Sequence, residues 1–429
     1  MGLMDTYHKV DAYTKSHEDG LTLVFAILIC LISFKYGYLI WTTDNYVGET
    51  VMYNFPYADA IFNGIAPYTP DMGMRWEYPP FAYLLMLIPR FFTSDVNVYE
   101  VLYVVEVTVF LIIGLILIRK LANHYGMNPF VAFFTYVLSI FLLDYFIYDR
   151  FDVIVAVIVL AATYLVLKGH TGWAVFLIIF GMFVKLYPAL LIPLLMIPHL
   201  AQGRFIIASK LFGLSIILCV LFILPFIWMS PDNVWNFMSY HGDRGLQIES
   251  VAASFIMFIG LFIPLDYYTD HSFGSYNISG SICDSVASIM MLVMIIMIVL
   301  IYVLYYLHCR RTKGADEDKG MLMVFFLVIM AFIIFNKVFS AQYVIWALLL
   351  LIPVLFVMSG EKQTLDCSLI CVVMMLFTMW MVDQYDSLLS HEAYGIILLF
   401  VRNIIFVWMM VYVLKESRFL ESLKNYVHS

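Results

Sequence analysis

The stretch EYPPFAYLLMLIPRFF (residues 77–92) decides the fold class, because it is as apolar as a membrane helix but too short to cross a bilayer. A spanning helix needs ~20 apolar residues in a row, and this stretch supplies roughly half of that number. It opens with Glu77 and two prolines, and prolines fix the point at which a loop turns into a helix. The pattern predicts a re-entrant or surface helix within a membrane protein.

The composition of the whole chain is that of a polytopic membrane protein. Of the 429 residues, 63% are hydrophobic and only 13% are charged, which is more apolar surface than a water-soluble core of this size can hide. The net charge of −8 is carried by short loops and leaves no basic face, so nucleic acid is excluded as a partner. The six cysteines are scattered without a CxxC pair, which predicts neither a zinc site nor a disulfide framework.

The apolar stretches and the basic residues together predict the topology. Twelve longer apolar stretches alternate with polar loops, and two short ones lie at 79–92 and 251–265. If the N-terminus is cytoplasmic and both short stretches stay on the outer side, fifteen of the twenty-three Lys and Arg residues face the cytoplasm. We therefore expect an all-α polytopic membrane protein with about twelve transmembrane helices, some of them half-length, and with both termini in the cytoplasm.

A second interruption, KLYPALLIPLLMIPHL (residues 185–200), predicts two half-helices that meet at a kink on the outer side. The longest polar segments, 44–78, 229–250 and 266–283, all fall on that side. Residues 1–429 therefore read as a single membrane domain whose functional face is formed by these three loops.

The first outer loop is rich in carboxylates. It is longer than a simple connection between helices requires, and its acids are Asp44, Glu49, Asp59, Asp71 and Glu77. A carboxylate at a membrane surface can act as a general base or bind a metal ion. The competing interpretation is a solvated polar loop without a chemical role.

Basic side chains stand on the same outer side, where the positive-inside tendency disfavours them. Arg150, Lys185, Arg244 and Lys337 each stand at a predicted helix end. Cations kept in such positions indicate an anionic ligand, and phosphate suits both guanidinium and ammonium groups. Local pairing with nearby acids is the alternative, although Lys185 has no acid beside it in sequence. His241 is either a proton donor or phosphate ligand, or a surface group.

Six motifs in order carry a family resemblance. They are YADAIFNGIAPY with EYPPFAYLL, RFDVIVAVIVLAATYLVLKG, GMFVKLYPALLIPLLMI, DRGLQIESVAAS, SYNISG and KVFSAQYVIWALLLLIP. On these motifs most of the chain resembles integral-membrane glycosyltransferases of the C superfamily, with the GT-C fold, and in particular the polyprenol-phosphate-mannose-dependent group, glycosyltransferase family 87. The resemblance implies a multi-pass protein of the cell membrane that transfers a hexose, by family default mannose, from a polyprenyl-phosphate donor to a lipid or glycan acceptor, with inversion.

The resemblance also implies which residues do the chemistry. The base of the family is an acid of the first outer loop that precedes a tyrosine by four residues, and Glu49 with Tyr53 fits this spacing. The acid is Glu where Asp is usual, and the distance to the segment 58–64 is one residue longer than the pattern. Asp44 and Asp59 therefore stay alternatives for the base.

The other implied residues bind the donor and the acceptor. The predicted ligands of the donor phosphate are Lys185, Arg244, Lys337, Arg150 and His241. The predicted substrate-binding residues, taken from the same motifs, are Tyr78, Asp152, Gln247, Glu249 and Gln342. No metal or other cofactor is expected, because basic side chains can neutralise a single leaving phosphate.

The main alternative is a transporter or flippase of lipid-linked sugars, which also needs outer cations and broken helices. Such a protein needs a polar path to both sides of the membrane. Here the cytoplasmic halves of the apolar stretches carry little charge apart from Lys35 and Arg402. A scaffold subunit would leave the outer acids and cations without a role. The sequence therefore favours an enzyme that works from one side.

Overall fold

Helices account for nearly all of the secondary structure in the computed structural model, which describes residues 13–43, 48–72, 76–238, 244–314 and 317–427. In chain order they are α1 (Glu18–Thr42), α2 (Phe55–Phe62), α3 (Ala82–Arg90), α4 (Val96–Tyr125), α5 (Phe130–Tyr148), α6 (Asp152–Leu167), α7 (Thr171–Val184), α8 (Ile192–Ala201), α9 (Phe205–Met229), α10 (Val251–Gly260), α11 (Ser281–Thr312), α12 (Glu317–Phe335), α13 (Val344–Leu355), α14 (Glu361–Asp383), α15 (Tyr385–Leu389), α16 (Ala393–Glu416) and α17 (Phe419–Val427). A π-helical turn, Thr50–Asn54, leads into α2.

Eight helices among the described residues are long and apolar enough to span a membrane: α1, α4, α5, α9, α11, α12, α14 and α16. Shorter apolar helices, including α6, α7, α8 and α13, supply the half-length elements. The predicted fold class, an all-α polytopic membrane protein, is thereby confirmed. The stretch at 77–92 forms the short helix α3, as its prolines and its length predict.

Local sequence signals explain where several helices begin and end. Asp95 caps α4, because its Oδ1 accepts a hydrogen bond from the backbone N–H of Val98 at 3.0 Å. Gly126 ends the same helix with a φ of +64°, which glycine adopts without strain. At the end of α7, Lys185 is extended and a 3₁₀ turn over Tyr187–Leu191 follows. This irregular stretch coincides with the predicted interruption at 185–200.

Contacts divide the chain into two compact units, each assembled from three stretches. Unit 1 contains the described residues of Met1–Ala189, Ser215–Val234 and Leu348–Ser368. Within it α1 packs on α4 and α5, while α6 packs on α4 and α7. Buried hydroxyl pairs, Ser33 with Tyr148 at 2.9 Å and Thr135 with Ser368 at 2.6 Å, add hydrogen bonds between elements.

Unit 2 contains the described residues of Leu190–Leu214, Trp235–Ala347 and Leu369–Ser429. Within it α11 packs on α8, α12 and α17, and α16 packs on α10 and α12. The organisation of residues 1–429 as one domain stays a prediction.

Unit 2 also holds a small antiparallel sheet that the sequence did not predict. Its strands are β1 (Leu246–Gln247), β2 (Tyr268–Ser272) and β3 (Ser275–Ser279), in the order β1-β3-β2. Phe273 and Gly274 connect β2 and β3 with φ values of +52° and +64°, the conformation of a two-residue hairpin turn. The segment 266–283 is therefore a folded hairpin and not only a polar loop.

Candidate functional site

Five charged residues of unit 1 form what we call the acid–base cluster. Glu49 precedes the π-helical turn, Asp149 and Arg150 follow α5, Asp152 begins α6 and Lys185 follows α7. The cluster thus unites the predicted base Glu49 with three further predicted site residues, Arg150, Asp152 and Lys185, from distant parts of the sequence.

Asp149 holds the backbone of the predicted base. Its Oδ2 accepts a hydrogen bond from the N–H of Glu49 at 2.7 Å, and its Oδ1 accepts one from the N–H of Thr50 at 3.1 Å. The Thr50 hydroxyl donates in return to the Asp149 carbonyl at 3.2 Å. These bonds satisfy backbone donors at the start of a helical turn, which normally lack partners. Asp149 therefore fixes the point from which the Glu49 side chain extends.

Two ion pairs complete the cluster. Nη1 of Arg150 contacts Oε1 of Glu49, and Nζ of Lys185 lies 2.6 Å from Oδ1 of Asp152. The Glu49 side chain is 25% exposed and that of Asp152 is 2% exposed. Glu49 can therefore be reached by a substrate, whereas the buried Asp152 is placed to hold Lys185. The Lys185 ammonium also lies 5.2 Å from the centre of the Phe151 ring.

The electrostatic surroundings make Glu49 a stronger base than a carboxylate in water. Burial raises the pKa of Glu49, the positive charge of Arg150 opposes that increase, and the charge of Asp149 adds to it. For Arg150, burial is the largest influence and lowers the pKa, but the charges of Glu49, Tyr78, Asp152 and Tyr145 together outweigh it, so the pKa is raised overall. The result is a partly exposed carboxylate with a raised pKa beside a fixed cation, which suits a proton acceptor.

Aromatic side chains border the cluster. The Tyr78 ring lies 5.1 Å from that of Phe151 and 6.2 Å from that of Tyr57. Burial and then the charge of Glu49 raise the pKa of Tyr78 well above its ordinary value, and the same two causes raise the pKa of Tyr53. Both tyrosines therefore lie within electrostatic reach of Glu49 and stay protonated at neutral pH.

The other two predicted bases have different surroundings. Asp59 lies on α2, its Oδ1 accepts a hydrogen bond from Nε of Arg90 at 2.9 Å, and the same oxygen forms an ion pair with Nη2 of Arg90 at 2.8 Å. The Arg90 guanidinium also lies 4.2 Å from the centre of the Phe62 ring, so Asp59 takes part in a contact that ties α2 to α3. Asp44 lies outside the described residues, as does the predicted phosphate ligand His241.

The remaining predicted residues lie in unit 2, in two neighbouring segments. The N–H of Gln247, in β1, donates to the carbonyl of Lys337 at 3.0 Å, and its Nε2 donates to the Ser340 hydroxyl at 2.9 Å. Arg244 precedes β1, and Gln342 lies in a 3₁₀ turn just before α13. Unit 2 therefore brings together the segments 244–250 and 337–342.

Glu249 is too deeply buried to contact a substrate freely. It is 7% exposed, its Oε1 accepts a hydrogen bond from the Tyr385 hydroxyl at 3.4 Å, and its Oε2 lies 3.9 Å from Nη2 of Arg402. Its role in substrate binding stays a prediction.

Sequence reasoning missed Asp149 and Arg402. For Asp149 the signal was an acid directly before Arg150 at the end of an apolar stretch, and for Arg402 a lone cation inside such a stretch. Within the described part of the chain, no group of three or more His, Cys, Asp or Glu side chains is arranged to hold a metal ion. Independence from metal ions stays a prediction.

Fold and site together define a polytopic membrane protein with a carboxylate and cations gathered at the ends of its helices. The model of glycosyltransferase family 87 matches residues 76–332, which is more than half of the chain. The chain therefore belongs to glycosyltransferase family 87, and the resemblance found in the sequence is confirmed. The matched segment contains Arg150, Asp152 and Lys185 but not Glu49 or Lys337. None of the curated proteins matches the chain.

Proposed function

We propose that this membrane glycosyltransferase moves a hexose, with mannose as the first choice, from a polyprenyl-phosphate sugar to a lipid-linked or glycan acceptor, with inversion at the anomeric carbon. The observation that carries the proposal is the acid–base cluster of unit 1. There Glu49 is anchored through its backbone by Asp149 and paired through its side chain with Arg150. Such an arrangement, in a member of a glycosyltransferase family, fits a general base for an acceptor hydroxyl.

The proposed reaction is a single displacement. The acceptor oxygen attacks the anomeric carbon from the face opposite the phosphate, and Glu49 takes the proton of the acceptor hydroxyl. The bond from the anomeric carbon to the phosphate oxygen breaks, and its electron pair leaves with the polyprenyl phosphate. Inversion follows because attack and departure occur on opposite faces of the sugar.

Cations stabilise the leaving phosphate in this proposal. Lys185 is held in place by the buried carboxylate of Asp152, so its charge is fixed before the reaction begins. Preorganised charge of this kind stabilises a developing anion strongly. Arg244 and Lys337 are proposed as further phosphate ligands, and Tyr78, Gln247 and Gln342 as contacts to the substrates. Metal and other cofactors are not required, because the leaving group is a single phosphate.

The proposed location is the cell membrane, with both termini in the cytoplasm and the active site on the opposite side. The distribution of Lys and Arg supports this orientation. Membership in a family of glycosyltransferases supports an enzyme over the transporter alternative.

The test uses purified protein in detergent and measures the release of polyprenyl phosphate from polyprenyl-phosphate mannose in the presence of acceptor. Glu49→Gln keeps the shape of the side chain but removes its basicity. We expect it to reduce turnover roughly a hundred- to ten-thousand-fold while donor binding persists. Asp59→Asn is the matched control from the same loop and should keep most of its activity, because Asp59 is engaged with Arg90.

Two outcomes would contradict the assignment. Near-normal turnover of Glu49→Gln together with an inactive Asp44→Asn would move the base to Asp44. A wild-type protein that releases no polyprenyl phosphate with any acceptor would contradict the proposed reaction itself. That result would fit a flippase, which has nothing to turn over in detergent.

A further inference from the structure

Arg402 is a charged side chain inside an apolar helix that the proposed reaction does not use. It lies well within α16 and its side chain is fully buried, with 0% exposure. A cation at such a depth is costly to desolvate, and intramembrane cations usually serve a function. Its contacts indicate what that function is.

Arg402 and its neighbour Asn403 bind one turn of the chain. Nη1 of Arg402 donates to the carbonyl of Glu249 at 3.3 Å and to Oδ1 of Asn403 at 3.2 Å. Nδ2 of Asn403 donates to the carbonyls of Glu249 and Ser250, both at 3.3 Å. Two consecutive residues of α16 thus hold two consecutive carbonyl groups.

The turn they hold ends the segment 244–250, which is also fixed from its other side. The N–H of Gln247 donates to the carbonyl of Lys337, and the N–H of Ile248 donates to the carbonyl of Tyr276, each at 3.0 Å. The segment therefore has little freedom as long as α16 keeps its end in place.

Stability alone explains Arg402 poorly. Its Nε and Nη2 have no hydrogen-bond partner among the described residues, and its guanidinium lies 3.9 Å from the centre of the Phe339 ring. Buried N–H groups without partners are unfavourable. Replacing a buried ion pair by apolar side chains of similar volume is often neutral or stabilising. A buried cation that is energetically unfavourable is better explained by a role in positioning the residues around it.

We propose that Arg402 is a positioning residue for donor binding. Arg402 donates to the backbone carbonyl of Glu249 and pairs with its side-chain carboxylate. It thereby sets the conformation of the segment 244–250 and hence the placement of Arg244 and Gln247. The inference rests on the proposed function, because Arg244 is the proposed ligand of the donor phosphate. Arg402 itself does not contact the reacting atoms.

The experiment compares Arg402→Met and Arg402→Lys with wild type and with Glu49→Gln. Arg402→Met leaves the buried Glu249 carboxylate without its cation, so it should unfold at a lower temperature than wild type, and the kinetics are measured below that temperature. Its KM for polyprenyl-phosphate mannose should rise on the order of tenfold, with a smaller change in kcat, because the phosphate ligand is displaced and the base is not. The KM of Arg402→Lys should lie between those of wild type and Arg402→Met, since lysine keeps the charge but loses the planar fork of the guanidinium. Hydrogen exchange of the amides of residues 245–250 should accelerate in Arg402→Met.

An unchanged KM with unchanged hydrogen exchange overturns the proposal, and so does a loss of activity that appears in kcat alone. If Arg402→Met fails to fold, Arg402→Lys decides, and wild-type KM and exchange in that variant overturn the proposal. An inactive wild type overturns the proposed function instead, whereas an active Glu49→Gln overturns only the assignment of the base. Hydrogen exchange then still shows whether Arg402 holds the segment 244–250.

Discussion

At Glu49 two neighbouring charges act on the same carboxyl group in opposite directions. Asp149 raises its pKa and Arg150 lowers it, while burial, the largest influence, raises it. Asp149 and Arg150 are adjacent to each other in sequence, so one short turn between α5 and α6 sets the basicity of Glu49, about a hundred positions away along the chain. The balance can be tested because the two charges can be removed separately.

We expect kcat/KM to fall on the acid side with a midpoint above 4.5, the ordinary pKa of a glutamate, because the base must be ionised and its pKa is raised. Arg150→Gln removes a charge that lowers this pKa, so the acid limb should move to higher pH. Asp149→Asn removes a charge that raises it, so the limb should move to lower pH. The measurement is kcat/KM against pH at constant ionic strength.

Asp59→Asn is the control for this pair of variants, because Asp59 is not among the charges that act on Glu49. Its acid limb should coincide with that of wild type. Shifts of the same sign in Arg150→Gln and Asp149→Asn would show that the acid limb reports the titration of a group other than Glu49.

Among the helices, the approach of α16 to α15 depends on a glycine. A Cβ on Gly395 would lie 2.5 Å from the backbone nitrogen of Leu388 and 2.7 Å from the carbonyl carbon of Ser387. Backbone atoms cannot move aside as a flexible side chain can, so α15 would have to shift. We expect Gly395→Ala to lower the free energy of unfolding by about 1–3 kcal/mol, measured by thermal unfolding in detergent.

Gly213→Ala is the matched control for that substitution. Gly213 lies within α9 and a Cβ there would meet no atom within 4 Å. Because alanine favours a helix over glycine by ~1 kcal/mol, this variant should be as stable as wild type or more stable. If Gly395→Ala unfolds at the temperature of Gly213→Ala or above it, the close approach is not what stabilises this part of unit 2.

How much of the fold the sequence could predict differs from element to element. The prolines of 77–92 and 185–200 predict interruptions correctly, because proline acts on its own backbone and needs no distant partner. The hairpin of β2 and β3 was missed because its turn is Phe273-Gly274, whereas the strongest hairpin signal is Asn-Gly or Asp-Gly. Its strands are also short and depend on β1, which lies more than twenty residues earlier.

For the whole molecule, the residue types of the candidate site could be predicted from the sequence, but their pairs could not. The sequence predicts acids and cations on one side of a membrane protein, and Glu49 and Lys185 were selected in this way. The pairings of Arg150 with Glu49 and of Lys185 with Asp152 join positions 101 and 33 residues apart, and only packing of the helices brings them together. The same holds for Arg402, whose partners come from the segment 244–250.

The orientation of the protein in the membrane can be tested with two reporter cysteines at opposite ends of α4. This helix has 30 residues and is therefore ~45 Å long, more than the ~30 Å hydrocarbon core, so its ends must lie on opposite sides. Arg119 and Lys120 mark the end that we expect in the cytoplasm. An impermeant thiol reagent should label Ser94→Cys in intact cells, and should label Asn123→Cys only after permeabilisation.

Both reporter positions are exposed, and the wild-type protein measures the background from the native cysteines. Between Glu49 and Ser94 the described chain contains the π-helical turn with α2, a 3₁₀ turn over Pro70–Met72 and the short helix α3, and none of these is long enough to cross a bilayer. Ser94 therefore reports the side on which Glu49 lies. Labelling of Asn123→Cys from outside, with Ser94→Cys protected, would place the acid–base cluster in the cytoplasm, where an acceptor outside the cell could not reach it.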